Sequence, residues 1–218
     1  PRYPDKTILF ILGCQRSGTN MTQSLFEKDF RTKTYGEFSV LSSQDREHNI
    51  RLNDHDAVMR VLDKAHAPLV ILKPIVESQN AASLLDIYPD AKALWVFRHY
   101  KDVASSNLKN FGVHNGINNL RPIVEQTPNN WRSEHVSDDV RACVMEHFAE
   151  DMLPHDAAAL FWWVRNTFFF SQDLAANPRM RMCKYEDLVS DPPEIMGHFY
   201  AMLGQDVPAG DIFGYAHK

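Results

Sequence analysis

Short apolar runs alternate along the chain with segments in which apolar residues recur at helical spacing. The runs that predict buried strands are residues 7–12, 68–73, 92–98 and, more weakly, part of 179–188. The helical segments are residues 19–30, 56–66, 78–88, 100–111, 156–174 and 191–203, with a further helix from about Ser137. Strands that alternate with helices predict a three-layer α/β fold, with a central parallel sheet flanked by helices.

Residues 110–137 interrupt this alternation. They are rich in Asn, Gly and Pro and show little periodicity, which predicts a long surface loop or lid. Because the chain has no internal repeat and no low-complexity segment, we expect residues 1–218 to form a single domain. Pro1 is an unusual first residue, and we expect the chain to be either a domain excised from a longer protein or a chain trimmed at its start.

Composition and charge narrow the possible partners and compartments. A net charge of -5 disfavours a general nucleic-acid binder, which is usually basic. No apolar run approaches the ~20 residues that a membrane-spanning helix needs. Cys14, Cys143 and Cys183 have the spacing of neither metal ligands nor a disulfide framework, which indicates a reducing, cytoplasmic location and no structural metal site.

Residues 13–20, "GCQRSGTN", have the outline of a phosphate-binding loop between a predicted strand and a predicted helix. Gly13 and Gly18 have the spacing of the nucleotide-binding pattern G-x-x-x-x-G-K-[ST]. Thr19, however, replaces the lysine, and Asn20 replaces the hydroxyl residue that holds magnesium. These two replacements argue against magnesium-dependent transfer of a γ-phosphate.

What remains in the loop suits an anion of lower charge that is bound without metal, such as a 5'-phosphosulfate. Backbone N–H groups and the helix dipole attract an anion, Arg16 supplies a cation, and Ser17 and Thr19 add hydroxyl donors. The alternative is a tight strand-to-helix turn that binds no ligand.

A second group of residues begins where the third apolar run ends. Arg98, Asp102 and Ser106 follow one another at intervals of four, with Arg98 at the carboxyl end of a predicted strand. A guanidinium and a hydroxyl in this position could hold a second phosphate, to which Lys109 could add a cation. Alternatively, Arg98 pairs with Asp102 at the start of the helix, and Ser106 and Lys109 are solvated.

Taken together, these motifs resemble those of the sulfotransferases that use 3'-phosphoadenosine 5'-phosphosulfate (PAPS). The matching residues are Arg16-Ser17-Gly18-Thr19 after the first strand, then Arg98, Asp102 and Ser106, and finally Tyr185-Glu186-Asp187-Leu188 followed by Asp191-Pro192. The motifs occur in the order seen in that family, and the resemblance covers essentially residues 7–204.

The resemblance implies a fold related to the P-loop nucleotide kinases and a transfer of a sulfuryl group from PAPS to an acceptor hydroxyl or amine. The product would be adenosine 3',5'-bisphosphate (PAP), and no metal would be required. The implied donor-binding residues are Arg16, Ser17, Gly18, Thr19 and Asn20 for the 5'-phosphosulfate, Arg98 and Ser106 for the 3'-phosphate, and Tyr185 near the adenosine. The acceptor would be a small molecule or a carbohydrate, and the oligomeric state stays open.

Sulfuryl transfer needs cations and a base, by analogy with phosphoryl transfer. Arg16 and Lys73 are the candidate cations. The family often has Lys-Thr-His where this chain has Lys73-Pro74-Ile75, so the usual histidine base is absent. We expect Glu37 to act as the base, because some family members have a similar Gly-Glu after the first helix.

Other candidates for the base remain. Glu77 is the rival carboxylate, and the weaker candidates are His48, His55, His66 and His99. Loops within residues 36–56 and 110–137 are expected to contact the acceptor. The aromatic residues Trp162, Trp163 and Phe168 to Phe170 are more readily explained by core packing than by an acceptor pocket. The alternative functions are a nucleotide kinase or hydrolase with an aberrant loop and a catalytically silent PAP-binding module.

Overall fold

A five-stranded parallel sheet lies at the centre of the structure, which is a computed structural model that describes residues 6–44, 50–210 and 212–213. Its strands, in spatial order, are β2 (Thr32–Tyr35), β5 (Leu69–Leu72), β1 (Thr7–Gly13), β6 (Lys92–Phe97) and β7 (Met180–Lys184). A separate antiparallel pair is formed by β3 (Ser42–Gln44) and β4 (Ile50–Leu52). The apolar runs of the sequence thus correspond to β1, β5, β6 and β7.

Helices follow most strands. They are α1 (Thr19–Glu27), α2 (His55–Leu62), α3 (Ala81–Ile87), α4 (Tyr100–Phe111), α5 (Asn115–Glu125), α6 (Asp138–His147), α7 (Pro154–Ser171), α8 (Tyr185–Ser190) and α9 (Pro192–Leu203). Short 3-10 helices span Ile75–Asn80 and Leu174–Ala176. Within the described residues, none of the helices combines the length and the apolar character needed to cross a membrane.

Side chains on the two faces of the sheet form two separate cores. Along β1, Phe10 and Leu12 belong to one core and Leu9 and Ile11 to the other, as strand alternation requires. The helices α2, α3 and α7 complete the first core with Val58, Leu62, Leu84, Leu85, Phe168 and Phe169. The helices α1 and α9 complete the second with Leu25, Phe26, Met196, Phe199, Tyr200 and Leu203. The predicted three-layer arrangement is confirmed.

A helix occupies part of the segment for which the sequence predicted a long loop. The prediction over residues 110–137 was wrong, because α5 covers Asn115–Glu125 and only residues 126–137 after it are irregular. Ile117, Leu120 and Ile123 recur at every third position of α5 and belong to a third core that α5 shares with α6 and α7. This packing stabilises a helix whose Asn, Gly and Pro content disfavours it locally.

The carboxylate of Asp29, just after α1, connects α1 to α9. It accepts hydrogen bonds from Arg31, with Nη2 at 2.8 Å, and from the Tyr200 hydroxyl at 2.9 Å. Burial alone would raise the pKa of Asp29, but the hydrogen bonds from Arg31 and Tyr200 and the charge of Arg31 outweigh it and lower the pKa. The ionised carboxylate is therefore part of the folded state.

We expect Asp29→Asn to lower the free energy of unfolding by about 1–3 kcal/mol at neutral pH, because Arg31 and Tyr200 lose a charged partner. The pKa of Asp29 is lower in the folded chain than in the unfolded chain. Its stabilisation is therefore present above the unfolded pKa of about 3.9 and is lost as the pH falls through the folded value. Urea denaturation of both proteins at a series of acidic pH values measures this.

The control for this experiment is Asp63→Asn, which changes an exposed carboxylate and should keep both the stability and the acid dependence of the parent. The expectation fails if Asp29→Asn loses stability with falling pH as steeply as the parent does.

Candidate functional site

Each of the five parallel strands ends at the same edge of the sheet, and each is followed by a candidate site residue. The loop of residues 13–20 follows β1, Glu37 follows β2, Lys73 follows β5, Arg98 follows β6 and Tyr185 follows β7. The carboxyl ends of parallel strands are where open α/β sheets bind ligands. The strand order puts Glu37 and Lys73 on one side of the loop and Arg98 and Tyr185 on the other.

Two glycines allow the loop to turn sharply between β1 and α1. Gly13 has φ +128°, and a Cβ there would lie 2.4 Å from the carbonyl oxygen of Val96. Gly18, immediately before α1, has φ +101°. The hydroxyl of Ser78 accepts a hydrogen bond from the Gly13 N–H at 2.9 Å and so fixes the start of the loop to the 3-10 helix after β5.

The loop presents hydrogen-bond donors and little negative charge. The first N–H groups of α1 have no acceptor within the helix, and its first turn has no acidic residue. The hydroxyl of Ser17 is buried and has no partner among the described residues, Thr19 is buried, and Asn20 is exposed. Burial raises the pKa of the Cys14 thiol to about 12, so that this group stays neutral. These properties suit an anion.

Arg16 connects the loop to the second motif. Its Nε donates a hydrogen bond to the Ser106 hydroxyl at 3.0 Å, and its guanidinium carbon lies 5.7 Å from the ring centre of Phe111. Arg16 has φ +67°, a conformation that residues other than glycine seldom adopt and that costs energy. The structure thus brings two distant sequence motifs into direct contact.

Arg98 does not form the ion pair with Asp102 that one interpretation of the sequence predicted. In the described part of the chain no carboxylate pairs with it. Its Nε is buried without an acceptor, and its guanidinium carbon lies 4.2 Å from the ring centre of Tyr185. The start of α4 is capped instead by His99, whose Nδ1 accepts a hydrogen bond from the Lys101 N–H at 3.3 Å.

The ring of Tyr185 contacts both Arg98 and the loop. A Cβ at Gly18 would lie 2.2 Å from Cδ2 of Tyr185, so the ring can approach only because residue 18 is glycine. The backbone after β6 is also fixed, because Trp162 Nε1 donates to the Arg98 carbonyl at 3.0 Å. Lys109, in the last turn of α4, is exposed.

Glu37 and Lys73 form an ion pair on the other side of the loop. Lys73 Nζ donates to Glu37 Oε2 at 2.8 Å, and the lysine is only 4% exposed. Both residues line an open cavity of about 510 Å³ that also includes Asn20 at the start of α1. Glu37 and Phe38 line a second cavity as well, so this carboxylate lies where the two cavities meet.

The second cavity, which we call the acceptor cavity, has a volume of about 260 Å³. Its apolar walls are Phe38, Ile50, Ile75, Val76, Phe111, Trp131 and Phe161. Its polar walls are Gly13, Gln15, Glu37, Asn115, Asn119, Arg132 and Arg165. Residues from both segments that were expected to contact an acceptor, 36–56 and 110–137, therefore line it.

Sequence reasoning missed most of the polar side chains in the acceptor cavity. Asn119 lies in α5, Arg132 in the irregular segment after it, and Arg165 in α7. Arg165 is 1% exposed, and burial lowers its pKa to about 10, so that it stays charged at neutral pH. A lone arginine at the end of the apolar run of residues 157–164 was the one signal that could have identified such a residue.

The rival base Glu77 is already occupied by structural hydrogen bonds. Its two carboxylate oxygens accept from Arg51 at 2.8 and 3.0 Å, from the Leu52 N–H at 3.0 Å and from Asn80 at 2.9 Å. Glu77 therefore fixes β4 to the 3-10 helix after β5.

None of the described histidine candidates lines either of the two cavities beside the loop. His55 and His66 line a large cavity of about 1110 Å³ at the amino ends of the strands, and His48 lies outside the described residues. His99 caps α4. Within the described ranges, no group of three or more His, Cys, Asp and Glu side chains is arranged to hold a metal ion.

Most of the aromatic residues of α7 belong to the core, as expected. Phe168 and Phe169 are buried beside the sheet, Trp163 packs on the third core, and Phe170 is exposed. The ring of Trp162 packs against those of its neighbours Phe97 and Tyr100. None of these five residues lines the acceptor cavity; Phe161, which does, was missed.

Comparison with known proteins gives a consistent result for the fold. The structure resembles a sulfotransferase from Alicyclobacillus acidocaldarius (TM-score 0.54, 18% identity, 94% of this chain and 82% of that chain). It also resembles the sulfotransferase domain from the curacin biosynthetic pathway (TM-score 0.57, 16% identity, 98% and 78%). A third similar structure is the sulfotransferase domain of the Synechococcus PCC 7002 olefin synthase (TM-score 0.50, 17% identity, 98% and 82%).

These structural neighbours have the P-loop nucleotide-kinase type of fold, so that this part of the predicted fold class is also confirmed. No curated protein sequence matches the chain. The model of the sulfotransferase domain family matches residues 6–216, which is nearly the whole chain. The chain therefore belongs to the sulfotransferase family.

Proposed function

We propose that the protein transfers a sulfuryl group from PAPS to a hydroxyl or amine of a small acceptor molecule, leaving PAP. The observation that carries this proposal is the direct link between two candidate anion sites. Arg16 of the loop contacts Ser106 at 3.0 Å, and Tyr185 contacts both Gly18 and Arg98. A nucleoside with a phosphate at each end could bridge sites that are joined in this way.

The residues present fit this donor. Ser17 and Arg98 each have a buried polar atom without a partner among the described residues, and both atoms are donors suited to phosphate oxygens. In the proposal, the loop of residues 13–20 binds the 5'-phosphosulfate, while Arg98 and Ser106 bind the 3'-phosphate. Tyr185 lies beside the adenosine. PAPS supplies an activated sulfuryl group, and the protein positions the two charged ends of this donor.

Glu37 is the proposed base, because it lies where the donor side and the acceptor cavity meet. Its carboxylate accepts the proton of the acceptor group during attack on sulfur. Lys73 orients this carboxylate beforehand through a hydrogen bond of 2.8 Å. When Glu37 takes up the proton the ion pair weakens, and the Lys73 ammonium can then turn towards the negative charge on the leaving phosphate, together with Arg16.

The acceptor cavity supports a small molecule better than a carbohydrate. Its volume of about 260 Å³ is below the ~300–1,000 Å³ typical of pockets for drug-sized ligands, and many of its walls are apolar. A sugar would leave many hydroxyl groups facing these walls without partners.

Arg98→Ala should weaken PAP binding about tenfold to a hundredfold and change binding of adenosine 5'-monophosphate less than about twofold, because one charge-assisted contact to the 3'-phosphate is lost. Titration calorimetry with both nucleotides measures the difference, and PAP binding should be unchanged by a metal chelator. Arg121→Ala, which removes a half-buried arginine of α5 that pairs with Glu150, is the control. Equal losses for the two nucleotides would exclude Arg98 from the 3'-phosphate site.

Gly18→Ala should lower the affinity for PAP by more than about tenfold and destabilise the fold by about 1–3 kcal/mol, because the new Cβ strains the backbone and displaces Tyr185. Thermal melting and PAP titration measure both effects. Gly197→Ala is the matched control, since a Cβ there meets nothing within 4 Å in α9 and should leave stability unchanged or raise it by up to ~1 kcal/mol. Normal PAP affinity in Gly18→Ala would contradict the proposed contact.

Glu37→Gln should reduce kcat for sulfuryl transfer about 10²- to 10⁴-fold while the Kd for PAP changes less than about twofold, because only proton removal is lost. A labelled PAPS assay over a panel of acceptors measures the rate, with the exposed Glu194→Gln as the control. A variant that keeps its rate would mean that the base is elsewhere. If the parent chain binds PAP and transfers to no acceptor, the catalytically silent module is the correct interpretation.

A further inference from the structure

Hydrogen-bond donors without acceptors converge on the acceptor cavity. The side-chain amide nitrogens of Asn119 and Gln15 are buried and have no partner among the described residues. The Nε of Arg132 donates a hydrogen bond to Asn119 Oδ1 at 2.6 Å. This contact orients the amide so that its oxygen is occupied and its nitrogen has no acceptor among the described residues. No hydrogen bond to a described protein group engages the two terminal nitrogens of Arg132. Each group left unpaired is a donor, and a carboxylate has only acceptors.

Among the described residues no carboxylate pairs with Arg132, in contrast to Arg51. Arg51 lies 2.8 Å from Glu77 and 3.0 Å from Glu134, and these ion pairs neutralise it. The guanidinium of Arg132 instead lies 4.4 Å from the ring centre of Trp131, and burial lowers its pKa. An arginine held in this way is stabilised when an anion binds beside it.

The charged residues of the cavity lining are two arginines, Arg132 and Arg165, and one carboxylate, Glu37. Arg165 adds a second positive charge, and it is held in place by Gln79 at 3.0 Å and by the carbonyl of Ile75 at 3.0 Å. Glu37, the other described charged residue of the lining, is paired with Lys73 and belongs to the loop side. Between them lie aromatic and aliphatic walls.

We propose that the acceptor is a small hydroxy acid with an apolar body, whose carboxylate binds to Arg132 and Asn119 and whose hydroxyl reaches Glu37. This inference rests on the proposed function. In the reaction the acceptor oxygen forms a bond to sulfur, and its proton passes to Glu37. The bond from sulfur to the bridging phosphate oxygen breaks, and PAP leaves with that electron pair.

The test compares each acid with its uncharged amide. Two probe pairs are para-hydroxyphenylpropanoate with its carboxamide and ω-hydroxyhexanoate with its carboxamide. In the parent protein, kcat/KM with PAPS should favour the acid in at least one pair by about tenfold or more. Arg132→Met should abolish this preference while KM for PAPS stays within about twofold. Arg121→Met, which removes an arginine outside the cavity, should keep the preference. No preference for the acid in either pair overturns the inference.

A binding measurement makes the inference independent of transfer activity. Trp131 lines the cavity beside Arg132, so binding of para-hydroxyphenylpropanoate should change tryptophan fluorescence in the parent and not in Trp131→Phe. Affinity for the acid should exceed affinity for the amide and fall about tenfold or more in Arg132→Met, with and without PAP. If Arg132→Met instead raises KM for PAPS and leaves the acid preference intact, Arg132 serves the donor and the inference is wrong. Failure of PAP to bind at all would refute the assignment of PAPS as the donor. The fluorescence titration would still show whether the carboxylate of the acid binds at Arg132.

Discussion

The contact of the Tyr185 ring with Gly18 on one element and Arg98 on another determines the geometry of the donor side. The guanidinium of Arg98 lies 4.2 Å from the ring centre, an interaction that contributes about 0.5–2 kcal/mol. The ring can lie there only because residue 18 has no Cβ. Because the loop, Arg98 and Tyr185 follow three adjacent strands, β1, β6 and β7, the rigid sheet sets the distance between the two candidate phosphate sites.

The distribution of carboxylates separates arginines held in ion pairs from arginines that no described carboxylate pairs with. Arg51 and its partners Glu77 and Glu134 form a closed network that connects β4, the 3-10 helix after β5 and the segment before α6. Such a network contributes to the fold and offers no free charge. Arg98 and Arg132, by contrast, contact aromatic rings and no described carboxylate. An aromatic ring supports a guanidinium without neutralising it, so that the charge stays available for an anionic ligand.

The central sheet and the convergence of the candidate donor residues at one edge of it were predictable from the sequence, whereas most polar side chains of the acceptor cavity were not. The strands β1, β5 and β6 are unbroken apolar runs, and the donor motifs are local, with fixed spacings after strand ends. The edge strand β2 was missed because "TKTY" is short and mostly polar. The position of Arg132 in the cavity could not be predicted, because Arg132 follows α5, which packs in a core shared with α6 and α7. The positions of Asn119 and Gln15 at the cavity likewise follow only from the folded structure.

This difference has a physical origin in how the two halves of the site are built. The donor residues follow strands of one sheet, so their positions are fixed by strand register. The acceptor cavity draws much of its lining from a separate core formed by α5, α6 and α7, which can change its side chains without disturbing the sheet. Phe111 joins the two halves, because it lines the cavity and lies 5.7 Å from Arg16. Under the proposed function, a ligand that packs against Phe111 would contact the same ring that lies beside the loop cation Arg16.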